Sequence, residues 1–272
     1  MKILVTNDDG ILADGLWILA RELNKVAPVV VIAPDREQSA IGTAVTLTHP
    51  LRVQKVRPLL PGVEAYSVEG TPGDSVILAL EKLAKNEIGL VVSGINQGLN
   101  LGNDVLISGT VGAALQGYLR GLPAIAISIA PKDSLYLDGA ARVAALLASR
   151  IVANALPEPI FLNVNLPDLP LAETKGIRLT SLASESHLDT VEEGHDGKRQ
   201  YYWLVRRRIP DRIHQEMTDI WAVEKGHISI TPLHIYGDHN CAPAVTDSFC
   251  TDSFCADLFQ ELQKDALKKK ES

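Results

Sequence analysis

The sequence predicts an open α/β fold, a parallel sheet carrying helices on both faces. Two observations carry that expectation. Short apolar runs such as Lys2–Thr6 and Val29–Ala33 are apolar along almost their whole length, the pattern of strands buried on both sides. Between these runs lie longer stretches with helical spacing, and strand-helix alternation over about the first 165 residues is the signature of parallel βαβ units. At 272 residues and 46% apolar composition, the chain can bury the core of one large domain, or of a main domain with an appended subdomain.

Element by element, Lys2–Thr6 opens the sheet. Leu12, Leu16, Leu19, Ala20 and Leu23 recur at helical spacing and place an amphipathic helix that ends near Ala27-Pro28. Val29–Ala33 is a β-branched strand stopped by Pro34. Residues 72–85 form a helix with Pro72 in its first turn. Leu90–Ser93 is a buried strand, and a Gly- and Asn-rich loop covers 94–109. A helix follows over 110–120, then a strand at Ala124–Ile129, an Ala-rich helix over 134–154 and a strand at Ile160–Asn165. After Pro167 the pattern changes. Residues 1–179 read as the catalytic core and 180–215 as an inserted hairpin or arm. Residues 216–272 hold a return strand at His227–Pro232 and a C-terminal helix over 256–270. The arm carries Tyr201-Tyr202-Trp203 at strand spacing within a polar, Arg-rich stretch, so it calls for a partner surface.

Charge and composition exclude several classes. A net charge of −7 argues against binding long nucleic acid, though not against a small phosphorylated ligand held beside a cation. No run of about 18 apolar residues suggests a membrane span. Asn7-Asp8-Asp9 interrupts the N-terminal apolar run before it reaches signal-peptide length, which predicts a soluble cytoplasmic protein. The three cysteines lie near the C-terminus, two of them in a tandem TDSFC duplication at 246–255. They read as reduced thiols. His234, His239, Cys241 and Cys250 lack the close pair that a structural zinc site needs.

The residues suited to chemistry fall at strand ends, where open α/β sheets bind ligands. The first strand runs into Asn7-Asp8-Asp9-Gly10. Adjacent carboxylates raise each other's pKa, a penalty that a divalent cation removes. Either both Asp side chains converge on one ion, or one makes a turn or cap bond while the other is solvated. The second strand leads into Asp35-Arg36-Glu37-Gln38-Ser39, where Ser39 can face the same crevice and Asp35 and Arg36 can pair. The strand ending at Ser93 runs into a loop in which Asn96 offers a neutral oxygen, and hard cations accept such ligands. Ser108-Gly109-Thr110 opens a helix whose free N–H groups and hydroxyls suit a phosphate, although a plain helix cap explains one of the hydroxyls. Dinucleotide-binding GxGxxG, P-loop GxxxxGK[ST] and GxSxG patterns do not occur at the positions those folds require, which speaks against an oxidoreductase.

NDDG at 7–10, APDREQSA at 33–40, EGTPGDSV at 69–76, VSGINQGLNLGNDVLISGTVGAALQG at 92–117 and TDIWAVEKGHISITPL at 218–233 resemble the SurE family of 5′/3′-nucleotidases. The resemblance implies a Rossmann-like, three-layer α/β core with an inserted β-hairpin arm, a C-terminal helical tail, and a swapped arm or tail in a homo-oligomer, dimer or tetramer. It implies one divalent cation per subunit, Mg²⁺ or Mn²⁺, with ligands falling on Asp8, Asp9, Ser39 and Asn96. Asp8 and Asp9 are then the catalytic pair, and the phosphate-contacting stretch falls on Ser108, Gly109 and Thr110. The implied activity is phosphate release from nucleoside monophosphates, with short polyphosphate a further substrate for some members. The alternative is a phosphate- or nucleotide-binding module without turnover. Residues 40–44 and Gly73 and Ser75 depart from the family pattern.

Overall fold

The computed structural model describes residues 1–130, 136–155, 160–184, 187–208, 215–234 and 252–268. Its centre is a nine-stranded sheet. In chain order the strands are β1 (Lys2–Thr6), β2 (Val29–Pro34), β3 (Val53–Lys55), β4 (Glu64–Val68), β5 (Ile88–Gln97), β6 (Ala124–Ile129), β7 (Phe161–Leu166), β8 (Ile177–Leu179) and β11 (Ile228–Pro232). The spatial order is β3-β4-β2-β1-β5-β6-β7-β11-β8. The six strands from β4 to β7 run parallel, and the sequence direction of travel reverses between β1 and β5, the doubly wound switch point. The flanks depart from the all-parallel expectation: β3 is antiparallel to β4, and β11 is antiparallel to β7. β3, β4 and β8 carry no continuous apolar run, so the sequence reading passed over them.

The central strands are buried on both faces, and alternate residues feed two cores. Ile3, Val5, Val29, Val31, Leu90 and Val92 pack on one side, under the helices α1 (Asp14–Leu23) and α4 (Leu137–Val152). Leu4, Val30, Ile32 and Val91 pack on the other, under α2 (Pro72–Leu78) and α3 (Gly109–Tyr118). Helix α2 is capped by Thr71 and Asp74 and runs on into a π-helical turn over Ala79–Leu83. This is the three-layer arrangement the sequence predicts.

Several boundaries move. Leu12, expected on the buried helical face, is 85% exposed, because it sits in the turn before α1 begins. The stretch expected as one loop over 94–109 divides into the end of β5, a 3-10 turn at Gly102–Leu106 and the cap of α3. The C-terminal helix, α6, spans Asp252–Lys268 and buries Cys255, Leu258 and Leu262 in the core on the α1 and α4 side. An Arg150–Glu261 ion pair and a Gln263 bond to the Leu171 carbonyl fasten it there. The short helix α5 (Asp219–Glu224) precedes β11. Cys241, Cys250 and His239 lie outside the described residues.

The arm is a two-stranded antiparallel hairpin, β9 (His187–His195) with β10 (Gln200–Arg208). Tyr202, Trp203, Leu204 and Val191 are exposed on it, Trp203 by 65% and Leu204 by 81%.

Candidate active site

Strand β1 delivers its last residue, Thr6, into a turn made by Asn7. The Asn7 Oδ1 accepts the Gly10 N–H at 3.1 Å and its Nδ2 donates to the Gly10 carbonyl at 3.1 Å. Gly10 has φ +100°, and a Cβ there would lie 3.0 Å from the Arg36 carbonyl carbon. Only glycine lets the first and second strand ends approach this closely. The Gln38 N–H donates to the Asp8 carbonyl at 2.7 Å, which ties the loop after β2 to the same turn.

Asp8 is buried, and burial pushes its carboxyl above the usual carboxylate range; the nearby Glu37 charge adds to the rise. The hydroxyl and the backbone N–H of Thr110 oppose that rise by favouring the ionised form. Both groups belong to the first turn of α3, whose N-terminus favours a negative charge. Gly109 makes the approach possible: a Cβ there would stand 2.8 Å from the Asp8 Cβ and 2.9 Å from its Oδ2. Ser108 is the N-cap of α3, its Oγ accepting the Val111 N–H at 3.1 Å.

At the end of β2, Ser39 donates its hydroxyl to Glu37 Oε1 at 2.6 Å. At the end of β5 the pairing with β6 slips: Ser93 faces Ala126 and Asn96 faces Ser128, so β5 holds one extra residue. This bulge re-aims Asn96. The Asn96 Nδ2 donates to the Gly98 carbonyl at 2.6 Å, which leaves Oδ1 as the atom to offer a ligand.

Asp8, Asp9, Ser39, Asn96 and Ser108 line one cleft of about 190 Å³ at the carboxyl ends of β1, β2 and β5. Gly109 and Thr110 stand behind it, against Asp8. The Thr110 hydroxyl is therefore committed to Asp8, whereas the sequence suggested that it faces a phosphate. Four oxygen donors of mixed type, two carboxylates, a hydroxyl and an amide, suit a hard divalent cation. Among the described residues no three His, Cys, Asp or Glu side chains gather as a metal cluster, so any such site depends on the neutral oxygens.

The cleft also holds residues that sequence reasoning left unassigned. Asn100 forms part of its floor, and a buried amide network fixes it. Its N–H donates to Asn165 Oδ1 at 2.9 Å and its Nδ2 donates to Ser128 at 2.9 Å, while Asn163 and Asn165 donate to its carbonyl. Buried Asp219 accepts the N–H groups of Gly102 and Ala183 at 2.7 and 2.9 Å, pinning the loop behind the cleft to the base of the arm. Asp104 and Arg206 complete the rim, paired at 2.7 Å. Asp35 and Arg36 pair only loosely, at 3.8 Å.

Residues 3–189 match the family model described as Survival protein SurE. The chain is 59% identical to the 5′-nucleotidase SurE of Dehalococcoides mccartyi (strain ATCC BAA-2266 / KCTC 15142 / 195), over 86% of this chain and 89% of that one. The chain belongs to the SurE family. It is 45% identical to the 5′-nucleotidase SurE of Legionella pneumophila (strain Paris), over 88% of this chain and 93% of the relative. The crystal structure of the SurE protein from Aquifex aeolicus superposes with a TM-score of 0.75 at 33% identity, covering 91% of this chain and 99% of that one. The segment matching the SurE model holds every strand end of the cleft but stops within β9, so Arg206 lies beyond it.

Proposed function

We propose that this SurE-family chain is a divalent-cation-dependent nucleotidase that releases phosphate from nucleoside monophosphates. The relatives named 5′-nucleotidase support the substrate class. The observation that carries the chemistry is the convergence of Asp8, Asp9, Ser39 and Asn96, drawn from three strand ends, on one cleft beside the capped start of α3.

These four residues would hold one Mg²⁺ or Mn²⁺. When bound, such an ion supplies positive charge for the phosphoryl oxygens and lowers the pKa of water. One carboxylate of the Asp8–Asp9 pair would orient the attacking water and take its proton; the water oxygen would bond to phosphorus as the ester oxygen leaves in line and is protonated to the nucleoside hydroxyl. Ser108 and the Gly109 N–H would border the phosphate, where a helix N-terminus stabilises the negative charge of the transition state, while the N–H of Thr110, like its hydroxyl, serves Asp8. Thr110 would also keep the Asp8 carboxylate in a single orientation. Nothing here requires a covalent Ser or Cys nucleophile. The same cleft would admit the end of a short polyphosphate. Among the described residues no helix is long and apolar enough to cross a membrane.

Inorganic phosphate released from AMP or GMP, with and without EDTA, tests the reading. Turnover that EDTA abolishes and added Mn²⁺ restores supports it. AMP binding without phosphate release would leave a nucleotide-binding module, and turnover indifferent to EDTA would remove the cation.

A further inference from the structure

Beyond the strand ends, the hairpin also brings a charged side chain to the cleft. We propose that Arg206 is a substrate-binding residue through which the β9–β10 arm takes part in the cleft, its guanidinium pairing with the substrate's phosphate. This rests on the nucleotidase reading above.

Among the described residues that line the cleft, Arg206 alone carries a positive side chain, facing Asp8, Asp9, Glu37 and Asp104. A phosphate dianion entering this set meets repulsion that a cation bound at one end offsets only in part. The Arg206 guanidinium in the same lining supplies positive charge, with the fork geometry that matches phosphate oxygens.

Arg206 is also held in place. Its Nη2 donates to Asp104 Oδ1 at 2.7 Å and its Nε donates to Asp189 Oδ1 at 2.9 Å. Asp104 is buried, and its carbonyl accepts the Ser108 N–H at 3.1 Å, so the guanidinium is anchored to the segment that caps α3. Asp189 faces Arg206 directly across the hairpin register. Of the five N–H donors of a guanidinium, these two bonds use two and leave the rest for a ligand. The side chain remains 39% exposed, so a ligand can reach it. Its neighbour Arg207 does not line the cleft; strand alternation turns it to the other face, where it pairs with Glu192.

The test compares Arg206→Gln, Arg206→Lys and the control Arg207→Gln in the full-length protein, with AMP and with p-nitrophenyl phosphate as substrates. Arg206→Gln is expected to raise KM on the order of tenfold for both, because they share only the phosphate, while kcat stays within about threefold. Arg206→Lys should recover part of the loss. The dissociation constant of inorganic phosphate, measured by calorimetry, should rise in parallel. An unchanged KM and phosphate affinity in a folded Arg206→Gln variant overturns the proposal. So does an effect confined to AMP, which would move the contact to the nucleoside, or an equal loss in Arg207→Gln, which would make it a matter of hairpin charge or structure. A wild type that hydrolyses neither compound defeats the nucleotidase reading, and phosphate affinity then still decides the role of Arg206.

Discussion

The strand-end cleft and the hairpin arm solve opposite problems. In and behind the cleft, buried polar groups are held by backbone or side-chain partners: Asp8 by Thr110, Asn100 by Asn165 and Ser128, and Asp219 by Gly102 and Ala183. On the arm, large apolar side chains are exposed, and the described contacts do not cover them. The cleft accepts the cost of a buried carboxylate in return for a fixed geometry. The arm leaves apolar surface in water, at about 25 cal/mol per Å², until another surface covers it.

The largest expected effect strikes the cleft. Asp8→Asn should lower phosphate release by at least about a hundredfold with the fold intact by circular dichroism. Stability should move the other way. The folded pKa of Asp8 is raised, so its contribution is fully present below the unfolded carboxylate pKa and is lost as pH rises through the folded value. EDTA-treated wild type should therefore lose stability from acid to neutral pH by an increment that Asp8→Asn lacks. Equal pH slopes in thermal melts of the two proteins would show that Asp8 carries no burial penalty.

Thr110→Val sharpens the same point. It keeps the shape of the side chain and removes the hydroxyl that Asp8 accepts. A fall in kcat/KM worth about 1–3 kcal/mol is expected. Because the hydroxyl acts through Asp8, the double variant with Asp8→Asn should lose little beyond Asp8→Asn alone. Additive losses would mean that Thr110 meets the substrate directly.

Two arm variants probe the other side. We expect the wild type to be a homo-oligomer whose interface includes the hairpin. Replacing residues 185–212 with a short Gly/Ser linker should reduce the mass seen in sedimentation equilibrium. A wild-type monomer at micromolar concentration would end that idea, and an unchanged mass in the variant would move the interface elsewhere. The smallest effect belongs to Trp203→Ser. Its exposure in the single chain implies a change in monomer stability within about 0.5 kcal/mol. Weaker self-association at unchanged melting temperature of the dissociated protein would set the arm apart from the cleft, and a large drop in that temperature would mean that Trp203 packs on its own chain.

Much of the core was legible because both of its signals are local. A continuous apolar run such as Val29–Ala33 can only be satisfied between two layers, and Asp8-Asp9 directly after the first such run falls where a parallel sheet leaves its crevice. The edge strands β3 and β8, three residues each, have too few alternations to register as a pattern.

The sequence by itself determined the layer order, the ends of β1 and β2 and the residue types that follow them, because burial on both faces and the chemistry of carboxylate and hydroxyl oxygens are written one residue at a time. Tertiary structure decided which groups meet. That Thr110 turns to Asp8, separated by 102 positions, follows from how closely Gly109 lets α3 approach β1. That Arg206 reaches Asp104, again 102 positions away, follows from how the hairpin leans over the cleft. Neither distance leaves a periodicity in the chain, since each is set by packing between elements that local sequence specifies only separately.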